Sequence, residues 1–178
     1  MRRTGDHESG HAGELDALPK AVGRALEARR WRLVTAESCT GGWIAKTVTD
    51  VPGSSGWFDR GFVTYANEAK VEMLGVRPGT LAAHGAVSEA TVREMAARAL
   101  ARSRAQVAVA VSGIAGPSGG SPEKPVGTVW LAWALREGAV AGGVVRARRR
   151  LFEGDREAVR RQAVLEALRG VLELLEAG

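Results

Sequence analysis

A chain of 178 residues, 45% apolar and 25% charged, has the make-up of one soluble domain large enough to bury a substantial core. Its single cysteine excludes an internal disulfide framework and fits a reducing cytoplasm, and no apolar run reaches the ~20 residues that span a bilayer. The formal charge of +5 permits acidic ligands, but an aromatic content of 5% leaves no basic run interleaved with stacking residues, so nucleic acid is not an expected partner.

Residues 1–13 carry three glycines and no large apolar side chain after Met1, and lack the apolar core of a signal peptide. They read as a disordered or loosely attached tail, leaving a single domain over 14–178. Within the tail, His7-Glu8-Ser9-Gly10-His11 has the spacing of a zinc-protease helix. Gly10 interrupts it, no apolar stripe anchors it, and the only other histidine is His84, so no metal is expected. Leu15, Leu18, Val22 and Leu26 predict an amphipathic helix from about 15 to 29, with Asp16 as candidate N-cap and Pro19 in its first turn. A strand follows over 31–36, then the turn Glu37-Ser38-Cys39-Thr40-Gly41-Gly42 and a helix to about Val48. Pro52 to Gly56 is a loop, 57–65 a second strand, and Asn67 the candidate N-cap of a short helix to Leu74. Gly75 to Gly85 reads as loop with one helical turn at 81–84, and Ser88 caps a helix whose inner face is Val92, Met95, Ala99 and Leu100.

Val107 to Val111 is an unbroken apolar run, the mark of a central strand buried on both faces. It ends in a second glycine-rich loop, Ser112 to Gly120. The segments 126–135 and 140–152, joined through Arg136-Glu137-Gly138, predict an antiparallel hairpin. Arg146, Arg148, Arg149 and Arg150 on its second strand fit a charged, solvated edge better than a phosphate or nucleic-acid patch. Asp155 caps a long final helix with Val159, Ala163, Leu168, Val171 and Leu175 inward. The fold class is therefore α/β: a three-layer α/β/α domain with a mixed, mostly parallel sheet and a C-terminal antiparallel hairpin. Both glycine-rich loops leave the carboxyl ends of strands, where open α/β sheets bind ligands, so they point to one shared pocket.

Ser38 is the candidate nucleophile; the competing reading is a helix N-cap. A triad needs a histidine, and His84 lies in a loop that a tight turn explains. A neutral lysine serves instead. Lys70, in the first turn of the helix after Asn67, is expected to have a depressed pKa from burial and the helix dipole, against the alternative of an exposed lysine. Tyr65 ends the preceding strand, as proton relay between Ser38 and Lys70 or as a rim aromatic. Cys39 competes for the nucleophile's place, but adjacent side chains diverge and a buried, inert thiol is expected. The N–H groups of Thr40, Gly41 and Gly42 are candidates to hold an oxyanion or a phosphate. Neither a Walker loop nor Gly-x-Gly-x-x-Gly is present.

Five linked segments carry a resemblance over about 15–175: Ala36-Glu37-Ser38-Cys39-Thr40-Gly41-Gly42; Gly61 to Lys70; His84-Gly85-Ala86-Val87-Ser88-Glu89; Ser112-Gly113-Ile114-Ala115-Gly116-Pro117 with Gly119-Gly120; and Lys124 to Val129. The series resembles the CinA C-terminal domain family, the nicotinamide-nucleotide amidohydrolases, in its stand-alone form. The resemblance implies hydrolysis of the carboxamide of nicotinamide mononucleotide to the nicotinate nucleotide and ammonia, without metal or cofactor. It also implies Ser38, Tyr65 and Lys70 as catalytic residues. Substrate contacts are expected from Thr40, Gly41, Gly42, Asn67, Ser112, Gly113, Ala115, Gly116 and Arg156, the ribose phosphate lying on the loop 113–120. The alternative is a nucleotide-binding regulatory module without turnover, for which the Ser38, Tyr65 and Lys70 trio would be unnecessary. The expected setting is cytoplasmic, the expected partner a pyridine mononucleotide, and the exposed hairpin edge makes a homo-oligomer, a dimer first, the expected assembly.

Overall fold

The computed structural model describes residues 6–136 and 145–177, with side chains over 13–136 and 146–177. Five strands form one open sheet in the order β2-β1-β3-β4-β5: β1 (Leu33–Glu37), β2 (Phe58–Val63), β3 (Val107–Gly113), β4 (Thr128–Leu135) and β5 (Val145–Leu151). β1 pairs in parallel with β2 and β3, while β4 pairs antiparallel with both β3 and β5. Four strands thus run one way and β4 alone opposes them, so the sheet is mixed and mostly parallel, as expected.

Side-chain alternation divides β3 between two cores. Val107, Val109 and Val111 face α1 (Asp6–Arg29), α2 (Trp43–Thr49) and α6 (Arg156–Glu176), joined there by Leu33, Leu131 and Trp133. Ala108 and Ala110, with Val34, Ala36, Ala132 and Ala134, face α5 (Glu89–Ala101). Methyl side chains on that face let α5 lie close across the sheet. Helices on both faces complete the three layers.

Several boundaries differ from the sequence reading. α1 begins at Asp6, so the expected disordered tail is helical from that residue, and residues 1–5 lie outside the described ones. Leu15 and Leu18 pack on the core and Arg169 donates to Glu14 at 2.6 Å, which anchors the helix; extending an anchored helix costs far less than nucleating one. The helical backbone runs through His7–His11, whose side chains lie outside the described residues. Among the described residues no cluster of His, Cys, Asp or Glu could hold a metal ion. Pro78–His84 is a full short helix, α4, with Pro78 in its first turn, where one helical turn at 81–84 was expected. The expected hairpin turn, and a strand start at Val140, fall on residues 137–144, outside the described ones.

β5 lies at the sheet edge, as its arginines predicted. Arg148 and Arg150 both donate to Glu166 of α6 at 2.8 and 2.9 Å, and Arg148 also reaches Glu173 at 2.8 Å. The Arg148 guanidinium lies 5.4 Å from the Trp133 ring centroid. Arg148 and Arg150 thus tie the edge strand to α6. Ser88 and Asp155 cap α5 and α6, accepting from the Thr91 and Ala158 N–H groups, as their sequence positions predicted.

Candidate active site

The chain leaves β1, crosses one face through α2 to β2, then returns across the other face through α5 to β3 on the far side of β1. Strand order therefore reverses between β1 and β3, and a crevice opens at their carboxyl ends. Ser38 directly follows β1, and Ser112 and Gly113 end β3. A cavity of about 200 Å³ lies there, lined by Ser38, Cys39, Tyr65 and Lys70, by Ser112, Gly113 and Ala115, and by Ala86, Val87 and Arg156.

Ser38 does not cap α2. Gly41 and Gly42 adopt φ of +60° and +93°, two successive left-handed residues that only glycine takes without strain, and Gly42 is the N-cap with no side-chain bond. The cap is Glu37. Strand alternation turns its side chain to the α2 face, where Oε1 accepts from the Ile44 N–H at 2.8 Å and the Thr40 hydroxyl at 2.7 Å. Oε2 accepts from the Ala45 N–H at 3.0 Å. Ser38, 7% exposed, is left free of capping duty at the cavity wall.

Lys70 is fully buried, the only lysine so placed among the described residues. Asn67 is not the N-cap it was expected to be: Ala66 is, and Asn67–Ala69 form a single α-turn, α3. The chain then widens into a π-helical segment over Lys70–Leu74, a form that recurs at functional sites. Lys70 Nζ lies 3.0 Å from Ser38 Oγ, 2.8 Å from the Thr64 carbonyl and 3.2 Å from the Tyr65 carbonyl. Burial lowers its pKa from the usual lysine value of 10.5. A neutral amine has two N–H groups and one lone pair. The two carbonyls take the N–H groups, and the lone pair then faces the Ser38 hydroxyl.

Cys39 belongs to the core cluster yet also reaches the wall of the same cavity as Ser38, so the two side chains do not fully diverge. Burial pushes its thiol up to about 12, so it stays protonated and unreactive at neutral pH. Tyr65 is 60% exposed at the rim, and its hydroxyl accepts from Arg156 at 3.0 Å. It does not bridge Ser38 and Lys70, which touch directly. Arg156 donates also to the Gly116 carbonyl at 2.8 Å, joining the second glycine loop to the Tyr65 rim.

Other expected contacts divide. Ser112, Gly113 and Ala115 line the cavity, and Gly116 touches it through Arg156. Asn67 is exposed and outside the lining. The Thr40 hydroxyl is turned to Glu37 and the Gly41 N–H to the Ser38 carbonyl at 3.0 Å, so neither is available to substrate. Neither Gly41 nor Gly42 is in the lining. His84 is exposed and outside it too; its carbonyl accepts from Lys124 at 2.9 Å. Sequence reasoning missed Glu37 as the cap, and Arg160, which holds the turn by donating to the Cys39 and Thr40 carbonyls at 3.0 and 3.2 Å. The acidic residue just before the turn was a visible signal; a partner 120 residues away was not.

The model of the CinA C-terminal domain matches residues 15–175. The chain belongs to this family. A protein from Escherichia coli (strain K12), named nicotinamide-nucleotide amidohydrolase PncC, is 61% identical over 155 residues, 87% of this chain and 91% of its own length. One of the same name from Pseudomonas putida is 52% identical over 160 residues, covering 90% and 96%. The crystal structure of the competence/damage inducible protein CihA from Agrobacterium tumefaciens superposes with a TM-score of 0.85 at 46% identity, over 90% of this chain and 95% of that one.

Proposed function

We propose that this chain hydrolyses the carboxamide of nicotinamide mononucleotide, giving nicotinate mononucleotide and ammonia, with Ser38 as nucleophile and Lys70 as general base. The observation that carries the reading is the buried Lys70 amine 3.0 Å from Ser38 Oγ, in a cavity at the switch point of the sheet. The names borne by relatives 61% and 52% identical to it support the substrate.

Neutral Lys70 takes the Ser38 proton as Oγ attacks the carboxamide carbon. The carbonyl becomes an oxyanion; of the expected N–H donors Gly41 is engaged with the Ser38 carbonyl, which leaves those of Thr40 and Gly42. The Lys70 ammonium then protonates the departing nitrogen, ammonia leaves, and a nicotinoyl ester remains on Ser38. Lys70 takes a proton from water as its oxygen attacks that ester, and passes the proton to Oγ as the serine leaves. A cavity of about 200 Å³ falls below the ~300–1,000 Å³ usual for whole ligands, so it receives the ring and carboxamide. The ribose phosphate extends to the rim, where Arg156 offers a fork of donors and Tyr65 a flat edge.

A module that only binds nucleotides gains nothing from a buried amine aimed at a hydroxyl, so the hydrolase is preferred. Ammonia release from nicotinamide mononucleotide by pure wild type and by Ser38→Ala tests it. We expect turnover by the former and a loss of at least about 1,000-fold in the latter. Absence of turnover by folded wild type defeats the enzymatic reading, and an active alanine variant defeats Ser38.

A further inference from the structure

Glu37 is fully buried, and among the described residues no cation pairs with it. Its carboxylate is held by neutral donors: the Thr40 hydroxyl at 2.7 Å, the Ile44 and Ala45 N–H groups at 2.8 and 3.0 Å, and the Thr35 hydroxyl, longer, at 3.4 Å. Charge-assisted bonds at a helix N-terminus are what make an unpaired buried carboxylate tolerable. The backbone of the same residue reaches the other half of the site. Its carbonyl accepts from the Thr64 N–H at 2.8 Å, and the Thr64 carbonyl in turn accepts from Lys70 Nζ at 2.8 Å. Ser38 follows directly, with its N–H on the Val111 carbonyl at 3.0 Å and its own carbonyl closing the turn to Gly41.

One residue therefore joins the turn that carries the nucleophile, the helix behind it and the strand end that holds the base. We infer that Glu37 is a positioning residue: by taking the N-terminal N–H groups of α2 and the Thr40 hydroxyl, its carboxylate fixes the turn that aims Ser38 Oγ at Lys70 Nζ. The inference rests on the proposed role of Ser38. A corollary is that the α2 N-terminus, already carrying an internal anion, does not receive the substrate phosphate, which a second negative charge would repel.

Glu37→Gln keeps the shape but turns an NH2 group toward one of the donors, loosening the turn without emptying the site. Two readouts separate positioning from mere support of the fold, both taken well below the melting temperature of each variant. One is kcat and KM for nicotinamide mononucleotide. The other is the rate at which phenylmethanesulfonyl fluoride sulfonylates Ser38, followed by mass spectrometry; Oγ bonds to sulfur while fluoride and the serine proton depart. The reagent enters the cavity but makes no ribose-phosphate contact, so its rate reports the aim and activation of Oγ apart from nucleotide binding at the rim. We expect both kcat and sulfonylation to fall by about tenfold or more, with KM within about twofold.

A folded Glu37→Gln protein sulfonylated at the wild-type rate overturns the inference, as does a loss of activity carried wholly by KM. If Glu37→Gln does not fold, Thr40→Val, which deletes a single contact to the carboxylate, decides: sulfonylation about threefold slower supports the inference and the wild-type rate overturns it. Wild type inert to both reagent and nucleotide defeats the hydrolase reading and this inference together. Reactive wild type with equally reactive variants defeats this inference alone.

Discussion

A lysine amine held by two carbonyls and a hydroxyl, all within 3.2 Å, is fixed in space in either protonation state, but only the neutral one is a base. Burial favours that state. The rate of ammonia release is therefore expected to rise with pH through a midpoint below 10.5. Lys70→Arg stays charged at every accessible pH and is expected to lose about 100-fold or more in kcat and to show no such rise. A pH–rate profile of both proteins checks this; an arginine variant that keeps the rising limb would assign it to another group. The same shift has a consequence for stability. Between the lowered folded pKa and 10.5 the unfolded chain holds a proton the folded chain lacks, so the Lys70 contribution to stability improves as pH rises through that window.

Elements position these residues through interactions that cross the chain. The π-helical segment over Lys70–Leu74 closes with the Val76 N–H on the Lys70 carbonyl at 3.1 Å, a geometry that no hydrophobic period encodes. The hairpin edge is secured differently. Burial raises the pKa of Glu166, but hydrogen bonds from Arg148 and Arg150 outweigh it and hold the carboxyl below 4.5. Glu166→Gln is expected to destabilise the domain by about 1–2 kcal/mol at pH 7, a figure reduced because both arginines are partly exposed. Because the pKa is lowered on folding, that contribution is present above 4.5 and fades as pH falls through the folded value. Urea denaturation of wild type and variant at pH 7 and pH 4 should show the difference shrinking in acid. A difference unchanged across that range would mean that charge is not what Glu166 supplies.

Across the whole molecule, glycines in the helices set how closely the outer layer approaches the sheet. A Cβ on Gly170, in the middle of α6, would collide with the Trp133 ring, whose Nε1 donates to the Ala167 carbonyl at 2.9 Å. Gly23 of α1 meets Trp57 in the same way, at 2.8 Å. Gly170→Ala gains about 1 kcal/mol of helix propensity and is nevertheless expected to destabilise by about 1–3 kcal/mol overall, because a tryptophan locked in the core cannot retreat. Thermal unfolding measures it; a melting temperature at or above that of wild type would mean that the layers separate freely. The active cavity lies at the end of the same interface, since α6 also supplies Arg156 and Arg160.

The sequence by itself determined the layer architecture, the central strand, the helix caps at Ser88 and Asp155, and the placing of Ser38 and Lys70 near one sheet edge. Those features follow from local rules: side-chain period, capping chemistry and turn residues. The residue types proposed Lys70 as the base for Ser38, with an exposed lysine as the alternative, and the resemblance pointed to the same pair. Only the tertiary structure decided that Glu37 and not Ser38 caps α2, that Lys70 meets Ser38 directly, and that Tyr65 turns away to Arg156. It also extended α1 to Asp6, where composition read a tail, because packing on α6 anchors a helix that glycines alone disfavour. Each of these depends on partners distant in the chain or on which of several donors a buried acceptor reaches. Local pattern carries no record of that choice.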